Sequence, residues 1–281
     1  MADLRVVTWN AEGMFVTGSK TRRADRHQAL KVVRELDADI LFVPEFGNTD
    51  KVEPASITAL HALGYQTVVY SYAQDALLGS YGAALLTRLP LASHTLHHFV
   101  NTGRTFIEAH LTNDDGRPLR IIGLHLDDRS EQLRLEQIAQ VVEIINRPHI
   151  GETIVLGDFN AMHERSRFAQ VARSSVAKGI AEKVPHKLVR SMSRRVIEMA
   201  TGTTVRYLLE HTELVDLDGK LRRTISAKQA GLEWAPKIRL AKIDWIFGSS
   251  GTQAIHYTIH KDVGSDHRPV IADITLKLHK K

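Results

Sequence analysis

The sequence predicts an α/β protein in which helices cover a sheet of buried strands. The run Ile154–Leu156 is apolar and contains β-branched residues, which is typical of a strand buried on both faces. Residues 23–36 place Leu30, Val33 and Leu36 on one helical face, which favours a helix that covers a sheet. Alternating segments separated by turns such as 114–116 indicate antiparallel pairs of strands.

The remaining elements follow from the same patterns. We predict strands at Leu4–Trp9, Asp39–Val43, Thr67–Tyr70, Tyr81–Thr87, Ser93–Phe99, Arg104–Leu111, Leu119–Leu124, Leu240–Phe247 and Val270–Leu276. Further helices are predicted from Pro54 to Leu63 and from Ser130 onward, where Leu135, Ile138, Val142 and Ile145 share a face. A chain of 281 residues with 43% hydrophobic residues can bury a full core, in one large domain or two small ones.

Polar chemistry begins where the strand around Ile154–Leu156 stops. Gly157 interrupts the apolar run, and Asp158 and Asn160 follow with one residue between them. In an extended segment this spacing sends both side chains to the same face, so a carboxylate that takes a proton and an amide that holds an oxyanion would meet one substrate atom. The alternative is ordinary turn chemistry, since Asp and Asn are also common in turns and caps.

Other apolar strands end in the same way. Their polar residues are Asn10, Glu45, His125, Asp244, Asp266 and His267. Asp244 differs because it is expected inside an apolar strand, where a carboxylate must be paired or bound to something. Each position alone is weak support, but together with Asp158 and Asn160 they are difficult to attribute to turns and favour catalytic residues at the ends of strands.

The composition limits the class of protein. Lys and Arg exceed Asp and Glu by 37 to 32, giving a net charge of +5, which favours a polyanionic substrate. The chain has no cysteine, so a metal site must use oxygen or imidazole, and a reducing compartment suits it. We find no signal peptide and no apolar run of membrane-spanning length, and we expect a cytoplasmic protein without stable membrane association or an obligate protein partner.

Residues 163–207, here named the basic segment, interrupt the alternation of strands and helices. This segment reads as helical, and Glu164, Glu182 and Glu198 are outnumbered by ten basic residues, which are Arg165, Arg167, Arg173, Lys178, Lys183, Lys187, Arg190, Arg194, Arg195 and Arg206. Two interpretations stay open, a solvated helical face and a cap beside the cleft that contacts phosphates.

The motifs, taken in order, resemble those of the endonuclease/exonuclease/phosphatase superfamily, the DNase I-like proteins. The matching residues are Thr8-Trp9-Asn10, Pro44-Glu45, Gly123-Leu124-His125-Leu126, Gly157-Asp158-Phe159-Asn160, Ile243-Asp244-Trp245-Ile246 and Ser265-Asp266-His267-Arg268-Pro269. The resemblance spans nearly the whole chain. It implies a four-layered α/β sandwich, with two packed mixed β-sheets flanked by helices, in a single domain of residues 1–281 that contains the basic segment as an insertion.

The resemblance also implies the site and its cofactor. Asn10 and Glu45 would hold Mg²⁺, with Asp266 close enough to assist and Mn²⁺ as a possible substitute. Asp158 would deprotonate the attacking water, and Asn160 and a charged His267 oriented by Asp244 would hold phosphate oxygens. His125 would protonate the leaving oxygen or bind phosphate, as in the deoxyribonuclease-like branch, whereas the tyrosine motif of the apurinic branch is absent.

Two further residues are candidates for substrate binding. Arg104 follows Gly103 where several relatives keep a phosphate-contacting arginine, and the alternative is a surface arginine. Trp234 lies beside Pro236 in an irregular segment and could stack on a base, whereas Trp245 is expected in the core.

The function predicted is a Mg²⁺-dependent phosphoesterase that hydrolyses phosphodiesters, as a nuclease or an enzyme that processes DNA ends. One alternative is a phosphatase or phospholipase C-type enzyme acting on phosphoinositide or sphingomyelin headgroups. Another is a scaffold that binds phosphate without catalysis, although such proteins usually lose the base or the metal carboxylate and this chain keeps both candidates, Asp158 and Glu45.

Overall fold

Two six-stranded β-sheets pack face to face in the part of the chain that the structure describes. The structure is a computed structural model, and it describes residues 4–15, 25–47, 54–71, 82–100, 102–175, 195–225 and 241–277. Each sheet contains one parallel pair of strands among antiparallel ones, so both are mixed.

The first sheet is formed by both ends of the chain. Its strands are β1 (Leu4–Thr8), β2 (Ile40–Val43), β3 (Thr67–Ser71), β4 (Ala83–Thr87), β11 (Thr252–Ile259) and β12 (Val270–Leu276). They lie in the order β11-β12-β1-β2-β4-β3, with β1 and β2 parallel. The carboxyl ends of β1 and β2 therefore meet at one edge, together with the segment that enters β12.

The second sheet takes the middle of the chain. Its strands are β5 (Leu91–His98), β6 (Thr105–Thr112), β7 (Pro118–His125), β8 (Glu152–Asp158), β9 (Val215–Asp216) and β10 (Asp244–Gly248), in the order β5-β6-β7-β8-β10-β9. The parallel pair is β7 and β8, which are joined by a helix. The predicted antiparallel pairing around residues 93–124 is confirmed.

Helices cover the outer faces of the two sheets. They are α1 (Arg26–Leu36), α2 (Pro54–Ala62), α3 (Glu131–Ile145), α4 (Arg167–Ala172) and α5 (Thr203–His211). Side chains such as Phe42, Leu85, Ile121 and Leu156 fill the space between the sheets. Separate apolar clusters lie between the first sheet and α1, and between the second sheet and α3 with α5. The predicted four-layered α/β sandwich is confirmed.

Element boundaries differ from the predicted ones in ways that bear on the site. Asp244 is the first residue of β10 rather than an interior one, so its carboxylate lies at the sheet edge. The strand β11 was not predicted, because its buried positions do not alternate regularly and a bulge separates Ala254 from His256. Trp245 is fully buried, as expected.

The basic segment is described at its two ends. It forms α4, a helical stretch at residues 195–199 and most of α5, whereas residues 176–194 lie outside the described residues. Ala169, Ala172 and Ala200 pack against Ile243 in a small apolar cluster of their own. Among the helices described, none combines the length and the apolar character required to cross a membrane.

Candidate active site

Three polar residues stand side by side on adjacent strands of the second sheet. Asp158, the last residue of β8, is paired with His125 of β7 on one side and with Asp244 of β10 on the other. Leu156 and Ile246 lie two residues from Asp158 and Asp244 along their strands, and both face the core between the sheets. The row of polar side chains therefore closes that core at its edge.

Gly157 permits this arrangement. Its φ of +144° lies in a region that other residues rarely adopt, and a Cβ there would stand 1.9 Å from the carbonyl oxygen of Leu124. The close contact between β7 and β8, which brings His125 beside Asp158, thus requires a glycine.

The first sheet supplies Asn10 and Glu45. Hydrogen bonds from the backbone N–H of Ala11 to Pro44 O (3.1 Å) and of Gly13 to Glu45 O (2.8 Å) continue the pairing of β1 and β2 beyond the strand ends. The amide Nδ2 of Asn10 donates to Glu45 Oε1 (3.1 Å) and to Asp158 Oδ2 (3.0 Å). Asn10 therefore joins the two sheets at the centre of the candidate site.

His267 is held by a buried carboxylate. Its Nδ1 lies 2.9 Å from both carboxylate oxygens of Asp244, and its Nε2 lies 3.7 Å from Asp158 Oδ2. The hydroxyl of Ser265 donates to Asn10 O (2.7 Å) and accepts from the backbone N–H of His267 (3.1 Å). Ser265 thus fixes the segment that carries His267 against the end of β1.

Burial and charge shift the pKa values of these groups in different directions. Burial raises the pKa of Glu45 and raises that of Asp158 to about 7. Burial lowers the pKa of His125 well below its usual value, and the positive charges of Arg104 and His267 lower it further. Burial also opposes the charge of His267, but Asp244, Asp158 and Asp266 outweigh it and raise the pKa of His267 well above its usual value. At neutral pH His125 is neutral and His267 is charged.

The donor atoms fit a hard divalent cation on the side of the site formed by the first sheet. Glu45 and Asp158 share the amide of Asn10, and the negative charge of Asp266 contributes to the raised pKa of Glu45. Buried carboxylates that resist ionisation are the groups that a cation stabilises. Carboxylate and amide oxygens are also the ligands that Mg²⁺ prefers.

Asp158, Asp244 and His267 form a second group that is close enough together to bind a metal, but its chemistry suits a metal ion less well. Ligand atoms of Asp158, Asp244 and His267 lie within 4.8 Å of one another in the described part of the chain. However, His267 Nδ1 already lies 2.9 Å from both carboxylate oxygens of Asp244, and the same carboxylate raises the pKa of His267 and so favours the protonated imidazole. We therefore interpret Asp244 and His267 as an ion pair beside the metal ligands.

Asn160 and Arg104 meet at a shared backbone carbonyl. The amide Nδ2 of Asn160 donates to Leu126 O (3.1 Å), and its backbone N–H donates to Asp158 Oδ1 (2.9 Å). A guanidinium nitrogen of Arg104 also donates to Leu126 O, and another donates to Asp128 Oδ1 (2.9 Å). Arg104 is therefore a half-buried residue next to the site rather than a free surface arginine.

The structure brings together nine of the ten residues that the sequence singled out. These are Asn10, Glu45, Arg104, His125, Asp158, Asn160, Asp244, Asp266 and His267. Trp234 lies outside the described residues, so its stacking role stays a prediction.

Sequence reasoning missed the residues that position this set. Ser265 stands directly before Asp266, and a hydroxyl next to two candidate residues was the available signal. Thr224 Oγ1 accepts from the backbone N–H of Asp244 (3.3 Å), but no local sequence pattern relates residues twenty positions apart.

The sequence matches the Endonuclease/Exonuclease/phosphatase family over residues 7–267. The chain belongs to this family. Members of the Endonuclease/Exonuclease/phosphatase family are phosphoesterase hydrolases, and the matched region contains all of the candidate site residues. Among curated protein sequences, none matches this chain significantly.

Solved structures of the Endonuclease/Exonuclease/phosphatase type share the fold. A protein of this type from Beutenbergia cavernae has a TM-score of 0.71 at 16% identity, covering 99% of this chain and 72% of that one. TDP2 from D. rerio, complexed with a single strand DNA product, has a TM-score of 0.64 at 17% identity, covering 97% and 98%. ANGEL2, a 2′,3′-cyclic phosphatase in complex with adenosine-2′,3′-vanadate, has a TM-score of 0.65 at 15% identity, covering 98% and 96%. At these identities the likeness establishes the fold alone.

Proposed function

We propose that this protein is a divalent-metal-dependent phosphodiesterase that acts on nucleic acid. The observation that supports the proposal most directly is the set of polar groups around the Asp158 carboxylate. Its buried carboxylate accepts from Asn10 of the opposite sheet and lies 3.6 Å from His125 Nε2 and 3.7 Å from His267 Nε2. A carboxylate base, the charged imidazole of His267 and the neutral imidazole of His125 thus meet at one point. Hydrolysis of a phosphodiester needs such a base together with groups that stabilise negative charge.

Asp158 is the proposed general base. Burial holds the pKa of its carboxyl above the usual value, which makes the carboxylate a better proton acceptor for the attacking water. As the water oxygen forms its bond to phosphorus, the proton moves to Asp158. The bond to the leaving oxygen breaks, and this oxygen departs with the electron pair, stabilised by a hydrogen bond from His125, and takes up a proton from water.

His267 and Asn160 are the proposed partners of the phosphate oxygens. The charge of His267 is maintained by Asp244, so its Nε2–H is available to donate to a non-bridging oxygen. One N–H of the Asn160 amide is bonded to Leu126 O, which orients the second N–H. Such preorganised donors stabilise the charge that develops on the phosphoryl group.

His125 is the proposed donor to the leaving oxygen. It is neutral, so it donates a hydrogen bond rather than starting as a charged acid. Asn10, Glu45 and Asp266 would hold the metal ion, which we propose to be Mg²⁺ with Mn²⁺ as a possible substitute. When bound, the ion would neutralise negative charge on the phosphate.

The choice of nucleic acid as substrate is supported by charge and by relatives. The chain carries a net charge of +5, and ten of its basic residues lie in the basic segment, which we propose to be an insertion within a single domain. TDP2 is bound to single strand DNA and ANGEL2 to an adenosine derivative. We also propose a cytoplasmic location, which suits a chain without cysteine.

A panel of substrates tests the proposal. Single-stranded and duplex DNA, abasic duplex, RNA, 5′-tyrosyl DNA, a 2′,3′-cyclic nucleotide, phosphoinositides and sphingomyelin are incubated with Mg²⁺ and wild-type or Asp158→Asn protein. We expect hydrolysis of a nucleic-acid substrate that EDTA blocks and that Asp158→Asn lowers by on the order of 100-fold or more. Hydrolysis of the lipid headgroups alone, or an Asp158→Asn variant that keeps more than about a tenth of the rate, would refute it.

A further inference from the structure

Three guanidinium groups surround the carboxylate of Asp128 beside the candidate site. Arg104 lies 2.9 Å from Asp128 Oδ1, Arg195 lies 3.4 Å from Oδ2, and Arg129 lies 4.0 Å from Oδ1. We name these three arginines the arginine cluster. One carboxylate cannot neutralise three guanidinium groups, so the cluster carries excess positive charge.

Two neighbouring carboxylates, of Asp127 and Glu198, accept hydrogen bonds from backbone N–H groups. Asp127 Oδ1 accepts from the backbone N–H groups of Arg129 and Ser130, both at 2.8 Å, and Glu198 accepts from that of Glu131 at 3.0 Å. These bonds lie at the start of α3, where the helix dipole carries partial positive charge. Asp127 and Glu198 are therefore engaged by backbone donors at the start of the helix rather than by a guanidinium of the arginine cluster.

The arginine cluster is connected to the reaction centre through Leu126. The carbonyl oxygen of Leu126 accepts from Arg104 and from Asn160, the proposed phosphate-binding amide. Arg104 therefore shares an acceptor with the amide that is proposed to hold the reacting phosphate.

The exposed members are free to contact a ligand. The side chains of Arg129 and Arg195 are 58% and 44% exposed, and each guanidinium has five N–H donors, of which Asp128 can engage two at most in a forked pair. Guanidinium forks match the geometry of phosphate oxygens. Arg195 comes from the basic segment, so this segment reaches the cleft at that point.

We propose that the arginine cluster is a second phosphate-binding subsite, which holds a phosphodiester adjacent to the one that is cleaved. Asp128 and Leu126 O orient Arg104, and Arg129 and Arg195 contact the phosphate. The inference rests on the proposed function, since it assigns the substrate more than one phosphate. It also gives the basic segment a role in substrate binding.

Binding of DNA tests the subsite independently of turnover. Asp158→Asn protein is titrated into a fluorescent single-stranded oligonucleotide, and binding is followed by anisotropy. The same titration is repeated with Asp158→Asn protein that also carries Arg129→Ala, Arg195→Ala or Arg206→Ala. We expect each of the first two changes to raise Kd about five- to tenfold and to reduce the slope of log Kd against log salt by about one. Arg206 is the matched control, because it is 47% exposed, lies in the basic segment and is paired with Glu164.

Kinetics on two substrates separate the subsite from a structural effect. Arg195→Ala in otherwise wild-type protein should lose at least about fivefold more kcat/KM on an oligonucleotide than on bis-p-nitrophenyl phosphate, which has a single phosphate. Neutral methylphosphonates on both sides of the scissile linkage should abolish the difference between wild type and variant.

Several results would overturn the subsite. In the anisotropy titration these are an unchanged Kd in Arg129→Ala and Arg195→Ala, an equal rise in Kd in Arg206→Ala, or no DNA binding at all. In the kinetics it is a loss of kcat/KM in Arg195→Ala that persists with the methylphosphonate substrate. If wild type hydrolyses none of the substrates, the proposed function fails, whereas the anisotropy titration still decides whether the arginine cluster binds DNA.

Discussion

The imidazole of His267 and the carboxylate of Asp244 form a buried pair in which Nδ1 lies 2.9 Å from both oxygens. Burial lowers the pKa of His267, and Asp244 makes the largest contribution among the groups that raise it. The pair therefore keeps a positive charge at the edge of the two sheets, where the phosphate is proposed to bind.

Asp244→Asn should weaken that charge. The pKa of His267 falls when the carboxylate is removed, so the imidazole loses its proton at lower pH than in wild type. We expect kcat/KM to fall by on the order of 100-fold at neutral pH and its decline on the basic side to begin at lower pH. A pH series of kcat/KM measures both effects. The control is Asp273→Asn, which removes a carboxylate bonded to Arg5, and an identical profile in Asp244→Asn would exclude the proposed pairing role.

Glu45→Gln should reduce the binding of Mg²⁺. Glu45 is a half-buried carboxylate that a cation would stabilise, and glutamine keeps its shape but not its charge. Metal at about 100 times its Kd should stabilise wild type by about 2.7 kcal/mol, and most of this gain should disappear in the variant. Thermal unfolding with Mg²⁺ and with EDTA gives the readout.

Glu108→Gln provides the comparison for the metal experiment. This buried carboxylate on β6 pairs with His97 at 2.8 Å and has no contact with the candidate site. We expect the variant to keep the Mg²⁺-dependent shift in Tm. If Glu45→Gln keeps the full shift as well, the ion is held by other residues.

His125→Gln should have an effect that depends on the leaving group. A neutral imidazole that donates to the leaving oxygen matters most when that oxygen is strongly basic. We expect kcat on an oligonucleotide to fall by about 100-fold, with a much smaller loss on bis-p-nitrophenyl phosphate, whose weakly basic leaving oxygen gains less from a hydrogen bond. Equal losses on the two substrates would show that His125 acts elsewhere in the reaction.

Gly157→Ala should destabilise the protein. The added Cβ would meet the carbonyl oxygen of Leu124 at 1.9 Å, and the backbone at a φ of +144° would be strained. We expect the free energy of unfolding to fall by on the order of 3 kcal/mol or more, measured in urea. Gly116→Ala is the control, because its φ is +76° with no atom within 4 Å of the new Cβ, and it should cost about 1 kcal/mol.

The sequence was sufficient to predict the central strands and the polar residues that follow them. Runs such as Ile154–Leu156 are buried by their composition alone, and a carboxylate such as Asp158 directly after them lies at a sheet edge in any arrangement of the strands. The family resemblance added the two-sheet architecture. Local patterns therefore predicted which residues lie at the ends of strands.

Contacts between distant segments could not be predicted in this way. The pairing of Asp158 with Asp244 depends on the register of β8 and β10, which are separated by more than eighty residues. Arg104 meets Leu126 and Asp128 because β6 and β7 are neighbours, and no spacing in the sequence indicates it. The strand β9 has only two residues, Val215 and Asp216, which is too short for any periodicity.

The register of His125, Asp158 and Asp244 limits how the chain can vary in length. Side chains alternate between the two faces of a strand. One residue inserted within Glu152–Asp158 would therefore turn the Asp158 side chain towards the helices that cover the sheet and bring Phe159 to the cleft. Two inserted residues would keep the face but shift the carboxylate by about 7 Å. Natural variation in length should therefore be confined to connecting segments, while the distance from Gly157 back to the start of its strand stays constant.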